Sequence, residues 1–153
     1  MLNHFNQFLE SPLGVLEVTA CNDGITAVKF CETKAEQRPN SHTQQGCEQL
    51  SAYFANKLTA FSLPLCPRGT PFQQQVWQAL QQVCYGQTAS YADIARRIQN
   101  TKAVRAVGMA NGRNPIAIIV PCHRIIGSNG SLTGYAGGLE RKAYLLKMEK
   151  KEQ

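Results

Sequence analysis

Alternating apolar and polar positions dominate the first third of the chain and predict strands. Residues 16–20 alternate in this way, and the alternation resumes over residues 25–30, after the turn sequence at 22–24. Together with residues 5–10, the pattern predicts a short antiparallel meander. One face of such a sheet is apolar and must be covered by another element, which we expect to follow the sheet in the chain.

Helical spacing replaces the alternation after the polar stretch 33–45, which we expect to be a loop. Apolar side chains recur at helical intervals over residues 47–58, which predicts one helix packed on the sheet. The segment 59–69 contains two prolines and is typical of a linker. We therefore predict an N-terminal α/β scaffold domain over residues 1–68.

Residues 69–153 are predicted to form a second, mainly helical domain. Thr70-Pro71-Phe72-Gln73 is a capping box that begins a helix, and we expect Tyr85-Gly86 to end it. Ser90 and Asp93 cap a second helix, and a third is predicted over about 102–110. Two short helices joined by a tight turn form a helix-turn-helix pattern, although such helical pairs are also common in purely structural cores.

The end of the chain is predicted to hold a short hairpin and one more helix. The apolar run 116–120 predicts a strand, and the turn sequence at 127–130 would fold the chain back. A final helix over about 138–149 would direct inward the residues Leu139, Ala143, Leu145 and Leu146. The fold class is therefore α/β (α+β), with a small antiparallel sheet and covering helix, then a helical domain with a helix-turn-helix and a short active-site hairpin.

Composition excludes two classes of protein. The chain has 153 residues, of which 43% are hydrophobic and 17% charged, so it can bury a core and is not disordered. Its longest apolar run has five residues, whereas a membrane span needs about 20. The first residues lack the basic and apolar regions of a secretory signal, so we expect a cytoplasmic protein without a membrane partner.

The excess of positive over negative charge lies entirely in the second half of the chain. Residues 1–69 carry a net charge of −1, and residues 70–153 carry +7. This asymmetry favours a polyanionic partner, with nucleic acid as the leading candidate. Charge alone leaves open a basic surface that serves only solubility.

The six cysteines do not match a known metal-binding template. They form no C-x-x-C pair, and their spacings fit no zinc motif, so we expect reduced thiols. We predict no metal and no cofactor. A zinc site in the N-terminal domain stays open as an alternative, built from Cys21, Cys31, Cys47, His4 or His42.

Cys122 is followed directly by a histidine. A thiol is a good nucleophile only as a thiolate, and an imidazole oriented by a carboxylate can draw off its proton. His123 could supply the imidazole and Glu149, on the last helix, the carboxylate. Adjacency alone favours a buried thiol beside a solvent-facing histidine, because neighbouring residues on a strand point to opposite faces.

The wider sequence around Cys122 decides between these interpretations. The string from Asn114 to Ile126, NPIAIIVPCHRII, closely resembles the active-site signature of the O6-alkylguanine-DNA alkyltransferase family. The resemblance extends over residues 69–149 and reaches the N-terminal third only in general character. Further motifs occur in the family's order: GTPFQ at 69–73, YGQT at 85–88, SY at 90–91, RAVG at 105–108, ANG at 110–112, LTGY at 132–135 and GLERK at 138–142.

The resemblance implies a role for each matching residue near the reacting sulfur. Cys122 matches the alkyl acceptor, and His123 with Glu149 matches the pair that removes its proton through a water. Tyr91 matches the tyrosine that helps rotate the lesion and donates a hydrogen bond to the leaving guanine. Asn114 matches the asparagine that orders the turn before the acceptor.

The resemblance also implies a DNA interface and a base pocket. Arg105 matches the arginine that enters the duplex and occupies the vacated stack. The small face of Ala103, Ala106 and Ala110 is expected to approach the minor groove, with Arg124 as a further DNA contact. The flipped base is expected to meet the residues Tyr135, Ala136 and Ile125.

The implied function is DNA repair by a methylated-DNA–protein-cysteine methyltransferase that acts once. The expected partner is double-stranded DNA carrying O6-alkylguanine, bound by a monomer, and activity on O4-alkylthymine stays open. A cysteine hydrolase is disfavoured because no nucleophile-elbow motif is present. A helix-turn-helix regulator would not need the Pro-Cys-His sequence. Gln99 and Thr101 depart from the glycine and proline that are frequent between the two helices, which leaves that turn's geometry open.

Overall fold

A three-stranded antiparallel sheet with one helix on it makes up the first of the two units into which the chain divides, Met1–Arg68 and Gly69–Gln153. The structure is a computed structural model that describes residues 4–151. The strands are β1 (Phe5–Ser11), β2 (Gly14–Ala20) and β3 (Ile25–Cys31), in that order across the sheet. The predicted meander is confirmed. Its buried face is built from alternate residues of β2, among them Leu16 and Val18, which are fully buried.

The covering helix α1 (Ser41–Phe54) begins six residues earlier than the predicted start at 47. The Asn40 side chain caps it by accepting a hydrogen bond from the Thr43 amide, and the Thr43 hydroxyl oxygen in turn accepts one from the Asn40 amide. The prediction of a loop up to residue 45 was therefore wrong over the first turns of the helix. Asn56, with φ of 60°, ends the helix before the predicted end at 58.

The second unit contains the helices α2 (Pro71–Leu80), α3 (Tyr91–Arg97), α4 (Val104–Gly112) and α5 (Leu139–Lys151). The predicted capping boxes at Thr70 and Ser90 are both present. Helix α2 ends at Leu80, short of the predicted end at 85–86, and a turn then brings Val83 into the core. Between α2 and α4, the indole nitrogen of Trp77 donates to the Ala110 carbonyl at 2.8 Å.

The turn between α3 and α4 forms without the glycine and proline that are frequent there. Gln99 has φ of 60°, and its amide donates to the Arg96 carbonyl at 3.0 Å. The Asn100 amide donates to the Ala95 carbonyl at 2.9 Å, which completes a Schellman cap. The local hydrogen bonds therefore hold a left-handed backbone that usually favours glycine.

The predicted strand at 116–120 and the hairpin built on it were wrong. This run forms a series of turns in which Ile118 has φ of 72°, and a single helical turn of three residues, Cys122–Arg124, follows it. The adjoining strand β5 (Ile125–Ile126) pairs in parallel with β4 (Ala89–Ser90) and not with the preceding run. Apolar content predicted burial correctly, but a short buried run can satisfy its backbone by turns as well as by a sheet.

Helix α5 presents a different face to the core from the one predicted. Leu145 is buried as expected, but Leu139 is 48% exposed and Ala143 is also exposed. Lys142 and Glu149 occupy the buried face instead, at 0% and 1% exposure. Within residues 4–151, no helix is long and apolar enough to cross a membrane. The same residues contain no cluster of three or more metal-binding side chains.

Candidate active site

Cys122 lies at the start of the helical turn that follows Pro121. Its side chain is buried, at 5% exposure, and its amide donates to the Val120 carbonyl at 2.8 Å. The thiol sulfur accepts a hydrogen bond from Nδ2 of Asn114 at 3.1 Å. A side-chain amide that donates to sulfur stabilises the thiolate more than the thiol. The sulfur is therefore positioned by a polar group that favours its reactive form.

Asn114 also organises the turns that lead to the cysteine. Its Nδ2 donates to the Val120 carbonyl at 2.8 Å, and its Oδ1 accepts from the Ile116 amide at 3.0 Å. One side chain thus joins both ends of the irregular run 116–120 to the sulfur. This arrangement explains how an isoleucine at 118 is held in a left-handed conformation, since surrounding hydrogen bonds determine the path of the chain.

His123 and Glu149 are brought together in the core, as the resemblance implied. The distance from His123 Nε2 to Glu149 Oε2 is 2.7 Å, and both side chains are buried. Arg124 binds the same carboxylate with two donors, Nε to Oε1 at 2.9 Å and Nη2 to Oε2 at 3.0 Å. Its Nη1 donates to the Val83 carbonyl at 2.7 Å. The predicted contact of Arg124 with DNA is therefore wrong, because its guanidinium is buried and bound to Glu149.

The charges in this cluster determine which nitrogen of His123 carries the proton. Burial alone would raise the pKa of Glu149, but its bonds to His123 and Arg124 lower the pKa to about 2. Glu149 is therefore an anion at neutral pH and can only accept hydrogen bonds, so Nε2 of His123 must donate. Burial lowers the pKa of His123, which keeps the ring neutral. Nδ1 then holds the free lone pair, and it has no hydrogen-bond partner among residues 4–151.

Burial favours the neutral form of the Cys122 thiol. Burial raises its pKa, while the hydrogen bond from Asn114 and the nearby charge of Lys142 act in the opposite direction. A buried neutral thiol is inert, and it becomes nucleophilic when the proton leaves. The site therefore combines a buried thiol, a neutral imidazole and groups that would stabilise negative charge on the sulfur.

Lys142 is a buried cation that sequence reasoning did not assign to the site. Its Nζ donates to the Ile125 carbonyl at 2.5 Å and to the Thr133 carbonyl at 3.0 Å. The hydroxyl of Tyr91 lies 2.5 Å from the Thr133 side-chain oxygen. Lys142 thus connects the strand after the cysteine to the loop 127–138, and the contact between Thr133 and Tyr91 connects that loop to the first residue of α3.

Helix α4 exposes a smaller part of its predicted DNA face than expected. Arg105 and Ala106 are exposed, and Ala103 is half-buried. Ala110 is 2% exposed and packs inward, so the prediction that it contacts DNA was wrong. Met109, which is 63% exposed, occupies the outer face instead.

The residues predicted to meet the flipped base differ in accessibility. Tyr135 is half-buried, and burial followed by the proximity of Cys122 raises its pKa well above the usual value. Ala136 is exposed. Ile125 is fully buried, and its carbonyl accepts a hydrogen bond from Lys142, so its assignment to the base pocket stays a prediction.

Comparison with known families identifies the chain as a whole. Residues 71–151 match the DNA-binding domain of 6-O-methylguanine DNA methyltransferase, and residues 5–67 match the ribonuclease-like domain of the same family. The chain belongs to this family. The resemblance read from the active-site signature is thereby confirmed, and it extends to the N-terminal unit.

Individual relatives are similar to the chain over almost its full length. The methylated-DNA–protein-cysteine methyltransferase of Methanosarcina mazei is 62% identical over 95% of this chain and 96% of its own. The constitutive enzyme of that name from Bacillus subtilis is 48% identical over 92% of each chain. Mycobacterium tuberculosis O6-methylguanine methyltransferase has a crystal structure that matches with a TM-score of 0.88, at 45% identity over 98% of this chain and 94% of its own. The OGT protein of that organism, solved in complex with DNA, matches with a TM-score of 0.88 at 46% identity, covering 95% and 92% of the two chains.

The predicted fold class, an antiparallel sheet with a covering helix followed by a helical domain, is confirmed by this agreement apart from the hairpin. The sequence nevertheless did not predict the structural roles of Arg124 and Lys142. Both residues are buried although their side chains are charged. A lysine in the family motif GLERK was the available signal for Lys142. For Arg124, the signal was its position next to a histidine that needs a carboxylate partner.

Proposed function

We propose that this chain repairs double-stranded DNA by moving the alkyl group of O6-alkylguanine to the sulfur of its own Cys122, once per molecule. The family supports the reaction class. The observation that carries the assignment of the acceptor is the Cys122 sulfur, hydrogen-bonded by Asn114 and followed by the buried His123–Glu149 pair. Of the six cysteines, Cys122 alone adjoins a histidine in the sequence.

The first step is removal of the thiol proton. His123 accepts it at Nδ1, through a bridging water, while its Nε2 proton stays on the bond to Glu149. The imidazolium that forms is stabilised by the Glu149 carboxylate, which lies 2.7 Å away. Arg124 fixes that carboxylate in place with its two hydrogen bonds. Asn114 and the charge of Lys142 stabilise the thiolate during the same step.

The second step is displacement at the alkyl carbon. A bond forms between the Cys122 sulfur and that carbon, and the bond from the carbon to O6 of guanine breaks, with its electron pair going to the base. Tyr91 donates a hydrogen bond to the leaving guanine, which spreads the developing negative charge. The product is a thioether, which water does not cleave, so the protein is consumed in the reaction.

Access to the alkyl carbon requires the nucleotide to leave the base stack. Flipping costs a few kcal/mol, and a side chain that enters the vacated position offsets part of the cost. Arg105 is the residue we assign to that position, because it is exposed on α4 beside the small Ala106. A small, apolar outer face suits close approach to the minor groove, and the net charge of +7 over residues 70–153 suits the phosphates.

The remaining expectations belong to the same proposal. We propose that the chain acts as a monomer, with residues 69–153 holding the DNA-binding and acceptor functions and residues 1–68 acting as a scaffold. Tyr135 and Ala136 are assigned to the pocket of the flipped base. O4-alkylthymine is a second substrate to be tested beside O6-alkylguanine.

The stoichiometry of repair tests the proposal. A duplex with one O6-methylguanine is incubated in excess over protein, and restored guanine is counted. We expect one guanine per protein molecule, no repair by Cys122→Ser, and full repair by Cys84→Ser, which alters an exposed cysteine. Repeated turnover, or full repair by Cys122→Ser, would contradict the assignment.

A further inference from the structure

A contact between two hydroxyl groups joins the loop 127–138 to the first residue of α3. The Tyr91 hydroxyl lies 2.5 Å from the side-chain oxygen of Thr133, and either oxygen can be the donor. This distance is that of a hydrogen bond between two hydroxyl groups, and both residues are half-buried. A residue outside the cysteine cluster therefore contacts the very group that we assign to the leaving guanine.

Tyr91 is held at this position by its own helix and by α4. Ser90 and Asp93 form the capping box of α3, in which the Ser90 oxygen accepts from the Asp93 amide at 3.0 Å and the Asp93 carboxylate accepts from the Ser90 amide at 2.9 Å. A Cβ atom at Gly108 would lie 3.7 Å from the Tyr91 ring, so the ring lies close to the backbone of α4. The fold therefore determines where the Tyr91 hydroxyl points.

The backbone of Thr133 is held by a buried cation. Its carbonyl accepts a hydrogen bond from Lys142 Nζ at 3.0 Å, and the same Nζ donates to the Ile125 carbonyl at 2.5 Å. The strand β5, which contains Ile125, pairs with β4, and β4 ends one residue before Tyr91. Thr133 thus approaches Tyr91 from a backbone position that is tied to the same pair of strands.

The direction of the hydrogen bond follows from what Tyr91 does in the reaction. A tyrosine hydroxyl has one proton to donate, and its oxygen can also accept. When Tyr91 gives that proton to a hydrogen bond with guanine, its oxygen can only accept from other groups. Thr133 must then be the donor, because two oxygens at this distance need a proton between them. Threonine, tyrosine and base form a chain in which each group donates to the next.

We propose that Thr133 is a positioning residue for alkyl transfer, whose hydroxyl donates to Tyr91 and directs the tyrosine proton to the leaving guanine. The inference rests on the proposed function and adds to it a residue that acts through Tyr91. As the bond from the alkyl carbon to O6 breaks, its electron pair passes to the base and draws the Tyr91 proton closer. Negative charge then grows on the Tyr91 oxygen, where the hydrogen bond from Thr133 stabilises it. Hydrogen bonds in such a chain strengthen one another.

Single-turnover methyl transfer from a saturating duplex with O6-methylguanine tests the role of the hydroxyl. Thr133→Val keeps the shape of the side chain and should slow transfer by about tenfold, without a change in DNA affinity. Thr133→Ser keeps the hydroxyl and should retain most of the wild-type rate. Ser128→Ala, which removes an exposed hydroxyl from the same loop, should transfer at the wild-type rate.

A double variant distinguishes positioning from a purely structural role. Tyr91→Phe removes the proton that Thr133 directs, so adding Thr133→Val to it should slow transfer by less than about twofold more. A structural threonine would cause the same loss in both backgrounds. Urea unfolding shows whether each variant is folded in the assay. Thr133→Ala removes the same hydroxyl, should give the same loss, and replaces the valine variant if that protein is unfolded.

Three outcomes would overturn the inference while leaving the proposed function intact. They are a Thr133→Val rate equal to or above that of the wild type, a Thr133→Ser rate as low as that of Thr133→Val, and losses that multiply in the double variant. Failure of the proposed function looks different, because the wild-type protein itself would then transfer no methyl group to Cys122. In that case the role assigned to Thr133 would be wrong as well.

Discussion

Replacing Glu149 by glutamine should weaken both folding and alkyl transfer. The buried carboxylate accepts hydrogen bonds from His123 and, at both of its oxygens, from Arg124. Glutamine keeps the size of the side chain but removes its charge. The Arg124 guanidinium would then be buried without an opposite charge, and His123 would lose the anion that stabilises its protonated form.

Two independent arguments give the size of the stability effect. A pKa of about 2 for Glu149, against an ordinary value of 4.5, corresponds to about 3 kcal/mol in favour of the ionised form. Removing one partner from a buried ion pair costs about 3–5 kcal/mol in other proteins. We expect the free energy of unfolding to fall by about 3 kcal/mol, which lowers the urea midpoint by about 1.5 M at a typical slope.

The wild-type protein should show the same interaction as a dependence on pH. The folded pKa of Glu149 lies below its unfolded value, so the stabilisation is present above about pH 4.5 and is lost as pH falls towards 2. His123 adds an earlier loss, because its pKa is also lowered by burial. The unfolded chain therefore gains a proton on this residue as pH falls below about 6.5, while the folded chain resists protonation.

Urea unfolding at pH 7, followed by single-turnover methyl transfer, measures both effects. Glu140→Gln is the matched control, because Glu140 is an exposed carboxylate in the first turn of the same helix. We expect the free energy of unfolding of the control to fall by less than about 1 kcal/mol. Its rate of methyl transfer should equal that of the wild type. Transfer by Glu149→Gln should slow by about 100-fold, the range of a general base. Equal stability losses in the two variants would refute the reasoning.

Three further changes test other parts of the account. Lys142→Met should slow methyl transfer by about tenfold and move the pH profile of the transfer rate to higher pH, because a cation near Cys122 is lost. An unchanged pH profile would mean that Lys142 only supports the fold. Arg105→Ala should slow repair of duplex DNA at least about tenfold more than it slows reaction with free O6-alkylguanine base, since only in the duplex must a flipped nucleotide be replaced. Equal loss of rate on both substrates would contradict the insertion of Arg105 into the base stack. Gln99→Gly should raise the free energy of unfolding, measured in urea, by about 0.5 kcal/mol, because φ is 60° at this position and glycine adopts that angle without strain. A lower free energy of unfolding would show that the glutamine side chain stabilises the fold by more than its backbone strain destabilises it.

Local signals in the sequence predicted the elements whose ends are determined by neighbouring residues. The capping boxes at Thr70 and Ser90 are short patterns with a direct structural cause, and both helices begin where they indicate. Asn40 and Thr43 carry the same signal, but it lies in a polar stretch without an apolar rhythm. Helix propensity and apolar periodicity therefore gave no reason to predict a helix start at residue 41. Packing of the helix on the sheet stabilises these first turns.

The active-site turns could not be predicted from the pattern of apolar residues. Four of the five residues of the run 116–120 are buried as expected, yet the side chain of Asn114 determines the path of their backbone. The burial of Lys142 follows from two carbonyl groups, that of Ile125 in β5 and that of Thr133 in the loop 127–138. Partners of this kind are brought together only by the tertiary fold, so helical periodicity alone places a lysine on the exposed face.

The site of the transferred methyl group tests the central claim most directly. After reaction with a duplex carrying O6-methylguanine, trypsin releases Cys122 on the peptide 114–124, apart from the other five cysteines. We predict that this peptide alone gains the mass of one methyl group, in step with the guanine restored in the DNA. Methyl transfer to any other cysteine, or restored guanine with an unmodified 114–124 peptide, would contradict Cys122 as the acceptor.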